Sequence, residues 1–212
     1  MNYKFITVEG NIGAGKTTLS SLLQQSFDGK LILEQFADNP FLPKFYEDRK
    51  RYSFPLELSF LAERYKQLKD MLNTRDLFNQ YIISDYLFIK SKLFAKVNLP
   101  EDEYKLYETL FDIIYPNLPE PDLIIYLHAP LDKLKQNIKS RNRDYEQNIQ
   151  DDYLIEYSVH NAYLQLIKSE KFKTLIIDTT QTDFLHNPSH FDQLLVHLEK
   201  EYEDGHHFIN FT

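Results

Sequence analysis

The chain contains no cysteine. That excludes a disulfide framework and any thiolate zinc site, and it fits a reducing cytoplasmic setting. Long apolar runs are also missing: none approaches the roughly 20 residues that span a bilayer. The opening MNYKFITVEG reads as a strand and not as a signal sequence. The expectation is a cytoplasmic protein with no membrane partner. Positive charge is in deficit, with 24 Lys and Arg against 32 Asp and Glu and a net charge of -8. This argues against a nucleic-acid partner, although a small phosphorylated ligand needs only a local positive site. Glycine is scarce as well, with 5 in 212 residues. Three of those glycines, Gly10, Gly13 and Gly15, crowd into one short stretch near the start.

What is present is ordinary for a globular chain, 42% hydrophobic and 26% charged, and long enough for one core with a small lid. Five short, β-branched runs read as buried strands: Phe5–Val8, Leu31–Leu33, Tyr81–Ile83, Leu123–Leu127 and Leu175–Ile177. Segments of helical period separate them. Their apolar faces are Leu19, Leu22, Leu23 and Phe27; then Phe54, Leu58, Leu61, Tyr65, Leu68 and Leu72; then Leu106, Leu110, Phe111 and Ile114; then Leu131, Leu134 and Ile138. Tyr153, Tyr157, Leu164 and Ile167 mark a further helix, and Phe191, Leu194, Leu195 and Leu198 the last. Such alternation predicts an α/β fold with a doubly wound, five-stranded parallel sheet and helices on both faces. No repeat or linker breaks residues 1–212, so a single domain is expected. His206 and His207 lie in a polar stretch that reads as a frayed tail in preference to a metal site.

The segment Gly10-Asn11-Ile12-Gly13-Ala14-Gly15-Lys16-Thr17-Thr18 matches the phosphate-binding loop in full. It follows a strand and opens an amphipathic helix, as the motif requires. Its glycines let backbone N–H groups converge on phosphate oxygens, and the helix N-terminus adds partial positive charge. Lys16 would reach the β- and γ-phosphates and Thr17 would ligand Mg²⁺. The Asn-Lys-x-Asp motif of GTPases is absent, and so is an apolar strand ending in Asp-Glu, as in motor ATPases. Two strand-like runs do end in a single acid, Glu34 and Asp85. In open parallel sheets ligands bind beyond the carboxyl ends of strands. If both strands neighbour the first, one acid could accept a hydroxyl proton and the other help hold Mg²⁺. The basic run Lys139-Ser140-Arg141-Asn142-Arg143 suggests a lid over about 139–149, whose guanidiniums would neutralise the transferring group.

Taken together, these motifs resemble the deoxynucleoside kinase family over nearly the whole chain. The resemblance rests on the glycine loop, Glu34, the block Phe45-Tyr46-Glu47…Arg51-Tyr52-Ser53-Phe54…Glu57…Arg64, Asp85, and Arg141-Asn142-Arg143-Asp144-Tyr145-Glu146. Asn39 to Tyr46 and Arg64 to Leu68 are similar to bacterial deoxyguanosine kinases. The resemblance implies a phosphate-loop NTPase-like fold, MgATP as donor and the 5′-hydroxyl of a deoxynucleoside as acceptor. It implies Glu34 as general base and Asp85 beside Mg²⁺ and the 5′-hydroxyl. Arg141 and Arg143 would be the lid arginines, and Tyr46 and Glu146 the holders of the 3′-hydroxyl. Asp183 and Phe184 would pack on the ATP adenine, Glu57 and Arg64 would line the base pocket, and the active species would be a homodimer, with Tyr104 to Tyr115 as its candidate surface.

Three positions depart from the family pattern. Tyr86 follows Asp85 where arginine is usual, Asn142 replaces the glycine between the lid arginines, and Glu57 replaces the base-reading glutamine. An ionised carboxylate only accepts hydrogen bonds, which suits the adjacent N1–H and N2–H₂ donors of guanine, while Arg64 would donate to O6 or N7. Adenine N1 and cytosine N3 are acceptors and would be repelled. The substrate expected is therefore a purine deoxynucleoside, deoxyguanosine first. The alternatives are a deoxyadenosine or broad-specificity kinase, a nucleoside monophosphate kinase of the thymidylate type, and an inert nucleotide-binding subunit. A second base contact falls at Ser91 or Lys90.

Overall fold

Every one of the five β-branched runs forms a strand, and a sixth strand joins them. The structure, a computed structural model, describes residues 2–34, 39–73, 81–141 and 172–211. The strands are β1 (Phe5–Gly10), β2 (Lys30–Ile32), β3 (Ile82–Ser84), β4 (Leu123–His128), β5 (Lys173–Asp178) and β6 (Gly205–Ile209). They run in the order β2-β3-β1-β4-β5-β6 with every pair parallel. Residues Phe5 to Glu9 and Leu123 to Leu127 are buried without alternation. That pattern belongs to a parallel sheet covered on both faces.

The sixth strand corrects two expectations, the five-stranded sheet and the frayed tail at His206 and His207. Gly205–Ile209 pairs along Lys173–Ile177, with Ile177 beside Ile209. The apolar end of this segment, Phe208-Ile209, offers a β-branched anchor, and Ile209 is buried in the core. Backbone pairing along the edge of β5 satisfies groups that would otherwise remain open. A second correction concerns β2. Only β3 pairs with β1 on that side; β2 pairs with β3 and forms the sheet edge.

Contacts divide the chain into two compact units. One draws its described residues from Met1–Leu33, Phe78–Asp85 and Pro121–Thr212, and holds the whole sheet. It also holds α1 (Lys16–Phe27) and α6 (Leu131–Arg141), together with α7 (Pro188–Leu198). Leu19 and Leu23 of α1, Leu134 of α6, and Leu194 and Leu198 of α7 are buried in one core with Ile6, Val8, Leu123, Ile125, Leu175 and Ile177. Asn187 caps α7 by accepting from the Ser189 N–H, and Pro188 occupies the first turn, where its missing donor costs nothing.

The other unit, Glu34–Leu77 and Tyr86–Glu120, is helical in its described residues. It comprises α2 (Leu42–Glu47), α3 (Arg49–Asn73), α4 (Lys90–Asn98) and α5 (Glu101–Ile114), with a 3₁₀ turn at Tyr115–Asn117. The buried face of α3 carries Ser53, Leu56, Glu57, Phe60, Leu61, Arg64 and Leu68. Phe54, Leu58 and Tyr65 of the expected stripe are only half-buried. The helix is thus rotated so that polar positions share its innermost face. On α5 the expected face is also displaced: Tyr107 and Phe111 are buried, while Leu106, Leu110 and Ile113 are exposed. Phe111 packs in a three-ring cluster with Phe88 and Tyr115, its ring centroid 5.3 and 5.2 Å from theirs, which explains why this turn of α5 faces inward.

Candidate active site

In the sheet-bearing unit, the loop after β1 folds as its glycines require. Gly13 has φ 80°, and a Cβ there would stand 2.8 Å from the Leu134 carbonyl oxygen. Gly15, at φ 95°, precedes α1 with no side-chain cap on the helix. The first-turn N–H groups of α1 are therefore not engaged by a capping side chain, and this end of a helix favours anions. Lys16 Nζ donates to the carbonyls of Gly10 and Asn11, both at 3.0 Å. Ile12 N–H is held by Asn11 Oδ1 at 2.7 Å, and Asn137 Nδ2 of α6 donates to Gly13 O at 2.8 Å. Ala14 is buried, and Thr18 is exposed on the first turn.

Asp85 follows β3, the direct neighbour of β1, and this adjacency brings it to the loop. Thr17 Oγ1 donates to Asp85 Oδ2 at 2.6 Å, and the Asp85 N–H donates to Ile32 O at 3.1 Å. Asp85 is 2% exposed. Among the described residues no group of three or more His, Cys, Asp or Glu is placed to hold a metal unaided. One hydroxyl and one carboxylate form a hard oxygen pair of the kind that holds Mg²⁺ together with phosphate oxygens and water.

The helical unit buries a second polar cluster. Arg64 Nε donates to Glu34 Oε1 at 2.8 Å, and its NH2 group donates to the same oxygen in a shorter contact. Its third nitrogen, NH1, donates to Ser91 Oγ at 2.5 Å. Lys90 Nζ lies 3.5 Å from Glu34 Oε2. Burial alone would pull the Arg64 guanidinium down, but Glu34 more than offsets this and its pKa is raised. Arg64 also lies over the Phe60 ring, 5.1 Å from its centroid. Tyr86, the departure after Asp85, is buried and donates its hydroxyl to Gln67 Oε1 at 2.8 Å. Both candidates for the second base contact, Lys90 and Ser91, are buried in this cluster.

Glu57 stands one α3 turn from Phe60 and is 2% exposed. Its Oε1 accepts from Asn98 Nδ2 at 2.6 Å, while Oε2 is buried with no hydrogen-bond partner. Desolvation raises its pKa to about 7 against the pull of Asn98, Arg64 and Lys90, with Glu34 adding to the rise. Burial thus works against the fully ionised carboxylate expected at neutral pH. The Tyr107 hydroxyl lies near Ser91 without a hydrogen bond of good geometry, and burial pushes its pKa upward.

The other expected residues that the structure describes lie on α2, at the end of α6 and in the turn after β5. Tyr46 is half-buried on α2, edge-on to Phe45 at 5.5 Å. Asp183 anchors the turn after β5, accepting from the Leu185 and His186 N–H groups, and its pKa is lowered to about 2, chiefly by the His186 backbone N–H. Phe184 packs on the core and meets Phe211 edge-on at 5.6 Å. Arg141 ends α6 and is exposed. Arg143, Glu146 and most of the expected lid lie outside the described residues, as do Tyr153, Tyr157, Leu164 and Ile167. Sequence reasoning missed Asn98, Tyr107 and Asn137. Each acts on a partner far along the chain, and no local spacing marks it.

A parallel sheet, a strand–glycine loop–helix junction, and an acid from the adjacent strand bonded to the loop threonine define a phosphate-loop nucleotide-binding enzyme. The family model for deoxynucleoside kinase matches residues 6–202, and the chain belongs to that family. It is an ATP-dependent phosphotransferase acting on a nucleoside hydroxyl. A deoxyguanosine kinase of Bacillus subtilis (strain 168) is 38% identical over 203 residues, covering 92% of this chain and 96% of the relative. A deoxyadenosine/deoxycytidine kinase of the same organism is 34% identical over 165 residues, covering 74% of each. The structure of a deoxyadenosine kinase from M. mycoides with bound dATP has the same fold, with a TM-score of 0.78 at 24% identity, covering 92% of this chain and 100% of that one.

Proposed function

We propose that this enzyme transfers the γ-phosphate of MgATP to the 5′-hydroxyl of a purine deoxynucleoside, deoxyguanosine by preference. The observation that carries the base preference is Glu57 Oε2, a buried acceptor with no partner, set in a cluster of hydrogen-bonding side chains. A buried polar atom without a partner is costly, and a ligand donor removes that cost. Guanine offers such donors at N1 and N2. The similarity to a deoxyguanosine kinase over nearly the full length of both chains supports the same reading.

The residues then divide the work. Gly10 to Thr18 cradle the triphosphate, with Lys16 leaving the Gly10 and Asn11 carbonyls for phosphate oxygens. Thr17 and Asp85 supply the oxygens for Mg²⁺, which when bound neutralises phosphate charge. Glu34 accepts the 5′-hydroxyl proton. Arg64 and Lys90, which already contact its two oxygens, orient it. Arg141 and Arg143 stabilise charge on the transferring group, Tyr46 and Glu146 hold the 3′-hydroxyl, and Asp183 and Phe184 flank the adenine of ATP. The two compact units act as one kinase domain in a cytoplasmic homodimer.

A coupled ATP assay against all four deoxynucleosides tests this. The highest kcat/KM is expected for deoxyguanosine. A preference for deoxyadenosine or deoxycytidine overturns the base assignment. Turnover of a deoxynucleoside monophosphate alone points to a monophosphate kinase, and no turnover with any acceptor to an inert subunit.

A further inference from the structure

Asn98, the last residue of α4, has no place in the reaction described above, yet among the described residues its Nδ2 makes the only hydrogen bond to the Glu57 carboxyl. It binds one oxygen of that group and leaves the other alone. We propose that Asn98 is a positioning residue for nucleobase choice: by engaging Oε1 as an acceptor it assigns the exchangeable proton to Oε2, so that Glu57 presents two alternative hydrogen-bonding faces to a purine. This rests on the reading that Glu57 contacts the base.

The two faces follow from hydrogen-bond chemistry. An amide N–H₂ donates, so the oxygen it engages is kept as an acceptor. When Glu57 is ionised, Oε2 accepts, and Oε1 retains a second lone pair. That pair of acceptors matches guanine N1–H and N2–H₂. When Glu57 is protonated, Oε2–H donates while Oε1 still accepts. This matches adenine, whose N1 accepts and whose N6–H₂ donates. Without Asn98 the proton would have no preferred oxygen, and either purine would meet a less ordered partner.

The surroundings place the exchange near neutrality. The groups that act on Glu57 are Arg64 on its own helix, Glu34 from the segment after β2, Lys90 and Asn98 from α4, and Tyr107 from α5. Desolvation favours the neutral form and is the largest influence; Asn98 is the strongest of those opposing it. Removing the Asn98 donor therefore raises the Glu57 pKa further, and the guanine-reading form is reached at higher pH.

The test is kcat/KM for deoxyguanosine and deoxyadenosine from about pH 5.5 to 8.5, a range that spans the ordinary carboxyl value and neutrality, in the wild type, Asn98→Leu, Asn98→Asp and Glu57→Gln. In the wild type the ratio of deoxyguanosine to deoxyadenosine rises with pH, approaching about tenfold per unit for a single controlling proton. In Asn98→Leu and Asn98→Asp the ratio at neutral pH falls at least about threefold, carried in KM with kcat little changed, as expected for a group that binds without touching the reacting atoms. Should Asn98→Leu fail to fold, Asn98→Asp preserves the shape and adds a like charge that moves Glu57 in the same direction. Carbon-13 NMR of the Glu57 carboxyl, assigned by its loss in Glu57→Gln, gives a substrate-free reading: its titration midpoint moves upward in the Asn98 variants. An unmoved midpoint, or a wild-type ratio and slope in both Asn98 variants while Glu57→Gln flattens the profile, overturns the role of Asn98 alone. A Glu57→Gln profile identical to wild type overturns the underlying reading that Glu57 contacts the base.

Discussion

Arg64 engages Glu34 through two nitrogens and Ser91 through the third, and Lys90 faces the remaining Glu34 oxygen. An acid held this way is oriented for the work of a general base. Glu34→Gln is expected to lower kcat at least about 10²-fold, the usual range for removing a general base; a smaller loss in steady-state assays would move that role to Asp85. The same substitution leaves Arg64 and Lys90 buried beside a neutral amide. Loss of one partner of a buried pair costs about 3–5 kcal/mol, so kcat must be read below the lowered melting temperature. Glu57 gives a prediction of opposite sign. Its folded-state pKa of about 7 lies above the ordinary 4.5, so its contribution to stability is present below the ordinary value and is lost as pH rises to about 7. Glu57→Gln removes this loss. The variant should gain on the wild type between about pH 4.5 and 7, by up to roughly 3 kcal/mol, and hold that gain at higher pH. Denaturant melts at several pH values check it, and a difference independent of pH would contradict the assignment.

The loop between β1 and α1 was legible because its conformation depends on local residues. Glycine at φ 80° with a carbonyl 2.8 Å from a would-be Cβ admits no side chain without movement. Gly13→Ala should therefore cost about 1–3 kcal/mol through backbone strain and the clash with Leu134. It should also weaken ATP binding, because Asn137 holds the Gly13 carbonyl in place. Nucleotide titration with a thermal-shift control separates the two effects, and wild-type affinity would show that the loop tolerates displacement. The face of α3 was harder to read. Its apolar spacing selected Phe54, Leu58 and Tyr65, but the innermost face carries Glu57 and Arg64. Periodicity ranks residues by hydrophobicity, whereas here a buried ion pair and hydrogen bonds to α4 make polar side chains the better occupants. Helix α4 itself carries little apolar signal: two of its three buried residues, Lys90 and Ser91, are polar.

Leu106, Leu110 and Ile113 project from α5 at 53%, 38% and 67% exposure, on a helix whose inner face already packs through Tyr107 and Phe111. Three large apolar side chains on one exposed helix are more than scattered surface residues, and a second copy of the chain is the occupant proposed for them. Light scattering after size exclusion should report a dimer, and Ile113→Glu should shift it to monomer with the fold intact by circular dichroism. A monomeric wild type at micromolar concentration would dismiss the dimer; a dimeric variant would place its interface elsewhere.

The phosphate loop, the strands and the acids that end two of them were readable from residue order, because each depends on contacts a few positions away or on burial of short β-branched runs. The pairing of Asp85 with Thr17 followed only from β3 lying beside β1. The sixth strand needed β5 as a template, since Gly205–Ile209 is too polar to announce itself. Most of all, the sequence supplied a glutamate at position 57 but not its protonation. That is governed by desolvation and by Asn98, a side chain 41 residues away, and charge in a buried site depends on the surroundings that folding assembles.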